Sequence, residues 1–277
     1  MISGDSRLMV YPSYTWGLGR QYKQQDGLLI NYTYLRFHQQ LLKRISRGLF
    51  TGIGYHLDYH AHITTGRDKP LLKDYAQYSY GTSGPSSVSS GVSLNLLFDT
   101  RTNSLNPWDG RYLALQFRFN PTFLGNNHQW KSVYLDVRKY IRFERGTHRQ
   151  NMLAVWGYLW TVLDKQVPYL DLPSLGWEEH NRSGRGFDQS RYRGRTLLYT
   201  EAEFRKDITD NGFLGLVLFA NANTVSGPRS ILLIHWNPAV GGGIRIKMNE
   251  RSATNIGLNY ARSLHHVGVN LTLGEVF

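Results

Sequence analysis

The sequence predicts an all-β fold, a transmembrane antiparallel β-barrel of about 12 strands. Three observations carry that prediction. Apolar and polar residues alternate with a period of two in segment after segment, and no helical period is sustained. Several alternating runs exceed the usual length of about 5–6 residues for a strand. Short turns alternate with long loops, such as 64–87 and 162–194, as they do at the two ends of a membrane barrel.

The first strands are read at about 8–16, 28–37 and 48–64. In 92–99, Val92, Leu94, Leu96 and Phe98 oppose Ser93, Asn95 and Asp99. Leu113, Leu115, Phe117 and Phe119 oppose Gln116, Arg118 and Asn120, and Val133, Leu135 and Val137 oppose Asp136 and Arg138. A strand at 151–161 carries Trp156, Tyr158 and Trp160 on one face. Leu198, Thr200, Ala202 and Phe204 then oppose Glu201, Glu203 and Arg205. Strands at 213–223, 240–248 and 255–260 follow. In the last, Val267, Val269, Leu271, Leu273 and Phe277 form an apolar face that only Glu275 breaks, close to the end. The opposite faces carry charges of both signs, as a hydrated lumen can. With no linker or low-complexity tract, 1–277 reads as one barrel domain.

Composition agrees. Aromatic residues make up 13%, glycines number 28, and no apolar run approaches the roughly 20 residues of a spanning helix. Cysteine is absent, which removes disulfides and thiolate metal sites. The net charge of +12 is spread along the chain, so nucleic acid is not the expected partner. Outer-membrane lipid and lipopolysaccharide headgroups suit basic loops better. Met1–Arg7 lack the basic and apolar segments of a secretory signal, so the chain is expected to begin downstream of its natural start.

His56, Asp58, His60 and His62 alternate along one strand, which puts all four on one face. They are weak candidates for a metal site; the simpler reading is a polar row facing the lumen, and no cofactor is expected. Trp156, Tyr158 and Trp160 on one strand face, and Tyr32 and Tyr34 on another, read as interfacial girdle residues, with internal stacking as the alternative for the Trp pair. Ser183 and Ser190 lack a Gly-x-Ser-x-Gly setting, and no catalytic arrangement is visible, so the chain does not read as an enzyme.

Four segments resemble motifs of the BamA/TamA-type bacterial surface antigen family. Asp99-Thr100-Arg101, followed by Pro107-Trp108-Asp109-Gly110, resembles its periplasmic turn, with Asp99, Arg101, Pro107 and Gly110 as the motif residues. Gly184-Arg185-Gly186-Phe187, followed by Glu203-Phe204-Arg205, resembles its inserted loop and the next strand. Gly241–Arg245 resembles its Gly-x-Gly-x-Arg strand, and Leu273–Phe277 the ending of a short subgroup without POTRA domains. The resemblance implies an outer-membrane barrel that assists insertion, assembly or translocation of proteins, with client outer-membrane proteins or assembly-complex subunits as partners. It also implies a lumenal loop anchored by Arg185, Gly186 and Phe187, with Glu203 and the residue at 221 as anchor partners. That second partner is Asn221 where the family carries an aspartate. Phe277 would serve as the C-terminal assembly signal while also closing the lipid face. Against a 16-stranded family barrel, the strands read here are the C-terminal part or a reduced barrel. The alternatives are the barrel half of a patatin-like phospholipase secretion system and a passive pore.

Overall fold

A computed structural model describes residues 1–66, 70–78, 80–82, 84–143, 150–179, 181–227, 233–249 and 254–277. Twelve antiparallel strands follow one another in a single sheet in chain order. They are β1 (Ile2–Thr15), β2 (Leu28–Ser46), β3 (Leu49–Thr65), β4 (Ser87–Asp99), β5 (Gly110–Asn120) and β6 (Trp130–Arg142). After them come β7 (Asn151–Val162), β8 (Thr196–Asp207), β9 (Leu214–Val225), β10 (Asn237–Asn249), β11 (Thr254–Ser263) and β12 (Val267–Leu273). All twelve sequence-predicted strands are present, longer at most ends than the alternation alone indicated. β1 and β12 each pair with one neighbour, leaving two free edges.

The period of two sorts the side chains. Leu8, Val10, Leu94, Val240, Val269 and Leu271 stand on the outer wall, exposed as a lipid-facing surface requires. The other face is buried because the 163–195 loop folds back across it. Tyr169, Leu172, Leu175, Trp177 and Tyr192 of that loop pack into the two main apolar clusters with strand residues such as Tyr34, Trp130, Trp156 and Tyr199. The loop therefore occupies much of the lumen and leaves a cavity between Leu170–Asp171, Trp177–Glu179 and the inner faces of β2, β3 and β5–β7.

The turn between β4 and β5 is tightly built. Arg101 donates to both Asp99 carboxylate oxygens, at 3.0 and 2.7 Å, and its guanidinium lies 4.4 Å from the Tyr112 ring centre. Gly110 has φ +109°, and a Cβ there would fall 2.4 Å from the Thr100 carbonyl oxygen, so the position needs glycine. Pro107 is buried beneath the same turn.

Three expectations are corrected. His62 does not share the face of His56, Asp58 and His60. The β2–β3 register shifts between Asn31 and Thr33, His62 takes φ 54°, and it turns outward while its neighbours Ala61 and Ile63 are buried. This is a β-bulge, in which one extra residue reverses the alternation. Trp156, Tyr158, Tyr32 and Tyr34 are not girdle residues. They are buried on the lumenal side, where Tyr158 stacks on Tyr199 and Trp156 meets Tyr199 edge-on. Nor does Phe277 close the lipid face. β12 ends at Leu273, Gly274 adopts φ +80°, and the last three residues turn into the lumen, where Phe277 packs 5.2 Å from Trp156.

Candidate functional site: a lumenal latch

Gly184 and Gly186 both hold left-handed backbone, at φ +83° and +89°. A Cβ on Gly186 would lie 3.0 Å from that of Ala239 and 3.3 Å from that of Ala261, so the loop meets β10 and β11 backbone-close. Between the glycines, Arg185 reaches β8. One of its terminal nitrogens donates to both Glu201 and Glu203, and its guanidinium lies 3.4 Å from the Phe219 ring centre. All three charged groups are buried. Removing ions from water costs several kcal/mol each, a cost their mutual attraction offsets, so removing one partner would leave the others strongly destabilised. Phe187 is half-buried against Tyr192, with ring centres 5.6 Å apart.

The network continues beyond the loop. Glu203 accepts from Arg205 Nε at 2.5 Å, and Arg205 lies 3.6 Å from Glu275. Glu275 in turn accepts from Arg245 at 3.0 Å and from Asn255 at 2.8 Å. Arg205 also donates to the backbone oxygen of Phe277 at 2.9 Å, and Arg182 to the Glu275 carbonyl. The loop, β8, β10, β11 and the C-terminal segment are thus joined through alternating charges.

Asn221 does not replace the missing aspartate as an acceptor. Its Nδ2 donates to the Arg185 backbone carbonyl at 2.9 Å. The second carboxylate comes from Glu201, the direct cross-strand neighbour of Asn221 in the β8–β9 ladder. Sequence reasoning did not single out Glu201, although its position two residues before Glu203 puts it on the same face. Glu275 was equally hidden, because an unbroken final strand would have turned it outward.

A second anchorage holds the far side of the loop. Asp171 accepts from Ser89 on β4 at 2.6 Å and stands 4.0 Å from His60 on β3. Beside it, Asp58 receives Tyr34 at 2.5 Å, Arg118 at 2.6 Å and His38 at 2.9 Å. His56 bonds Ser93 at 2.7 Å. These partners consume the ligand set, and among the described residues no three His, Asp or Glu side chains converge on a point suited to a metal.

A sheet of this topology, with an apolar outer wall and a lumen packed by an inward loop, defines an outer-membrane-type barrel. Residues 14–232 match the Omp85 superfamily domain, and the chain belongs to that superfamily of protein assembly and translocation barrels. No curated protein matches the chain. Among solved structures, it is similar in fold to BamA from Haemophilus ducreyi lacking POTRA domains 1–3, with a TM-score of 0.61 at 12% identity. That match covers 98% of this chain and 57% of the other, so the chain spans little more than half of that protein's length.

The loop anchorage has a pH signature. Burial, reinforced by the nearby Asp58 charge, pushes the Asp171 carboxyl up to about 7 from an ordinary value near 3.8. A carboxyl raised in the folded state adds stability in full below its unfolded value, and that contribution is lost as pH rises through the folded value. Loop docking should therefore weaken between about pH 4 and pH 7. Amide exchange of the 163–195 loop should be faster at pH 7.5 than at pH 5 after correction for intrinsic rates. Asp171→Asn should flatten that difference; an unchanged difference would reject the assignment.

Proposed function

We propose that the chain is a non-enzymatic outer-membrane barrel that assists insertion, assembly or translocation of outer-membrane or secreted proteins. Client outer-membrane proteins or assembly-complex subunits are its protein partners, and outer-membrane lipid and lipopolysaccharide surround it. One observation carries the reading: the latch loop reaches both free edges of the sheet. On the β1 side, Arg7 donates to the Glu179 carbonyl at 2.6 Å and Tyr11 to Gln189 at 2.9 Å. On the other side, a Cβ placed on Gly268 of β12 would lie 3.8 Å from the Gly186 nitrogen, so the loop comes within ordinary contact distance of that strand. A cavity of about 650 Å³ separates the edges, lined by Tyr11, by Asn270–Leu273 and by loop residues including Gly184 and Arg185.

The edges have matching polarity. Met1 exchanges backbone bonds with Leu42, so odd residues of β1 face β2 and even residues offer their backbone groups to the free edge. Gly274 donates to Asn255, which leaves Val267, Val269, Leu271 and Leu273 on the β12 edge. Both sets carry outward-facing side chains. A strand from a client can therefore add to either edge without turning apolar residues inward. Pro12, on the β1 edge, removes one donor and limits uncontrolled pairing there. A lumen much of which the loop occupies argues against a passive pore.

Purified protein in liposomes should accelerate folding of a urea-denatured outer-membrane barrel client relative to empty liposomes. Arg185→Ala leaves Glu201 and Glu203 buried without their loop cation, which typically costs about 3–5 kcal/mol, and should abolish most of that acceleration. Equal rates with empty and wild-type liposomes would reject the reading, as would a steady open-pore conductance of the wild-type protein in planar bilayers.

Phe277 is given two successive roles: an assembly signal while the chain is unfolded, and a lumenal packing residue afterwards. Deleting it should reduce the amount of folded protein in the outer membrane of cells. Undiminished insertion would remove the first role.

A further inference from the structure

At the long-loop end, where the β1–β2 loop meets the β11–β12 hairpin, a cavity of about 570 Å³ opens. Arg20 and Lys23 line one side, His265 and His266 the other, and Arg191 lies between them. Among the described lining residues these are five basic side chains and no carboxylate. The two nearby acids are engaged: Asp26 accepts from the Lys23 backbone at 2.7 Å, and Asp188 accepts from Gln24 and stands 3.4 Å from His266.

Arg191 is the unusual member. It is more than nine-tenths buried and lies 5.4 Å from the Trp16 and 4.9 Å from the Tyr192 ring centre, near the charges of Asp188 and Asp26. Yet its hydrogen bonds go only to neutral acceptors, Gln24 Oε1 at 3.1 Å and the Tyr22 carbonyl at 2.7 Å. Nη1 has no acceptor, and no carboxylate forms an ion pair with this group among the described residues. Buried cations are ordinarily paired. Burial draws its pKa down, which is the cost that a bound anion would offset. Arg193 also lacks a carboxylate, but it closes on the Tyr169 and Leu170 carbonyls and serves the loop's own fold.

The surroundings select among anions. Tyr22 and the half-exposed Trp236 add aromatic rings to the lining, which suit sugar rings. At its rim Leu264 is 80% exposed, and Val267 continues the apolar outer wall below it. A soluble anion has no use for that apolar border. We propose that the cavity binds the phosphorylated headgroup of an outer-leaflet glycolipid, with phosphate between Arg191, Arg20 and Lys23 and acyl chains along Leu264 and Val267.

The proposal rests on the reading that the long-loop end faces outward in an outer membrane. It is tested with detergent-solubilised, heat-modifiable protein titrated with bis-phosphorylated lipid A, with the same lipid after removal of both phosphates, and with inorganic phosphate. Saturable binding of the phosphorylated lipid is expected, weakened about tenfold or more in Arg191→Gln. The exposed double variant Arg20→Gln/Lys23→Gln should weaken it similarly while leaving the fold untouched. Equal binding of the dephosphorylated lipid, unchanged binding by the double variant, or inorganic phosphate competing as well as the lipid would each overturn the site. Failure of the protein to insert into bilayers would instead strike the membrane reading, so the two failures are separable.

Discussion

The structure depends on one constraint: Glu201, Glu203 and Glu275, buried on the inner face of the sheet, need cations beside them. Glu201 and Glu203 arrive there because the period of a strand gives them no other side to face. Arg185 answers from the loop, Arg205 from the same strand, and Arg245 reaches Glu275 on the returning C-terminal segment. Each pair needs the next, because removing any member strands a buried charge. The inward loop is thus a condition of the barrel wall as much as an insertion upon it.

This constraint relates architecture to activity. A barrel that handles other chains needs edges available for pairing, and exposed edges invite aggregation. Here the loop contacts both edge regions while its arginine is fixed on β8, so edge protection and charge neutralisation are one arrangement. The C-terminal turn at Gly274 shortens β12 and delivers Glu275 to the network, which couples the length of one edge to the same set of charges.

Seven strands were legible from clean alternation with a period of two, whereas those read at 8–16, 28–37, 48–64, 151–161 and 213–223 carry the pattern less cleanly and were placed more loosely. What escaped were the places where local geometry breaks the period. The bulge that turns His62 outward and the positive φ at Gly274 leave no mark in the alternation of apolar residues. Aromatic side chains were ambiguous for another reason: Trp156 and Tyr158 suit a lipid interface and a packed lumen equally by type, and only the loop's return decides between them. At the latch, the Gly-Arg-Gly motif and Glu203 were visible. The role of Glu201 was not, because it depends on the β8–β9 register that sets it opposite Asn221.

The most direct measurement is a double-mutant cycle between Arg185 and Glu201, using Arg185→Ala, Glu201→Gln and the combination, with reversible unfolding followed in lipid bilayers. A compensating carboxylate at position 201 predicts strong coupling, at least about 1.5 kcal/mol, with the double variant far less damaged than the sum of the single ones. Additive losses would mean that Glu201 does not share the arginine, and the latch would lack the partner this account assigns to it.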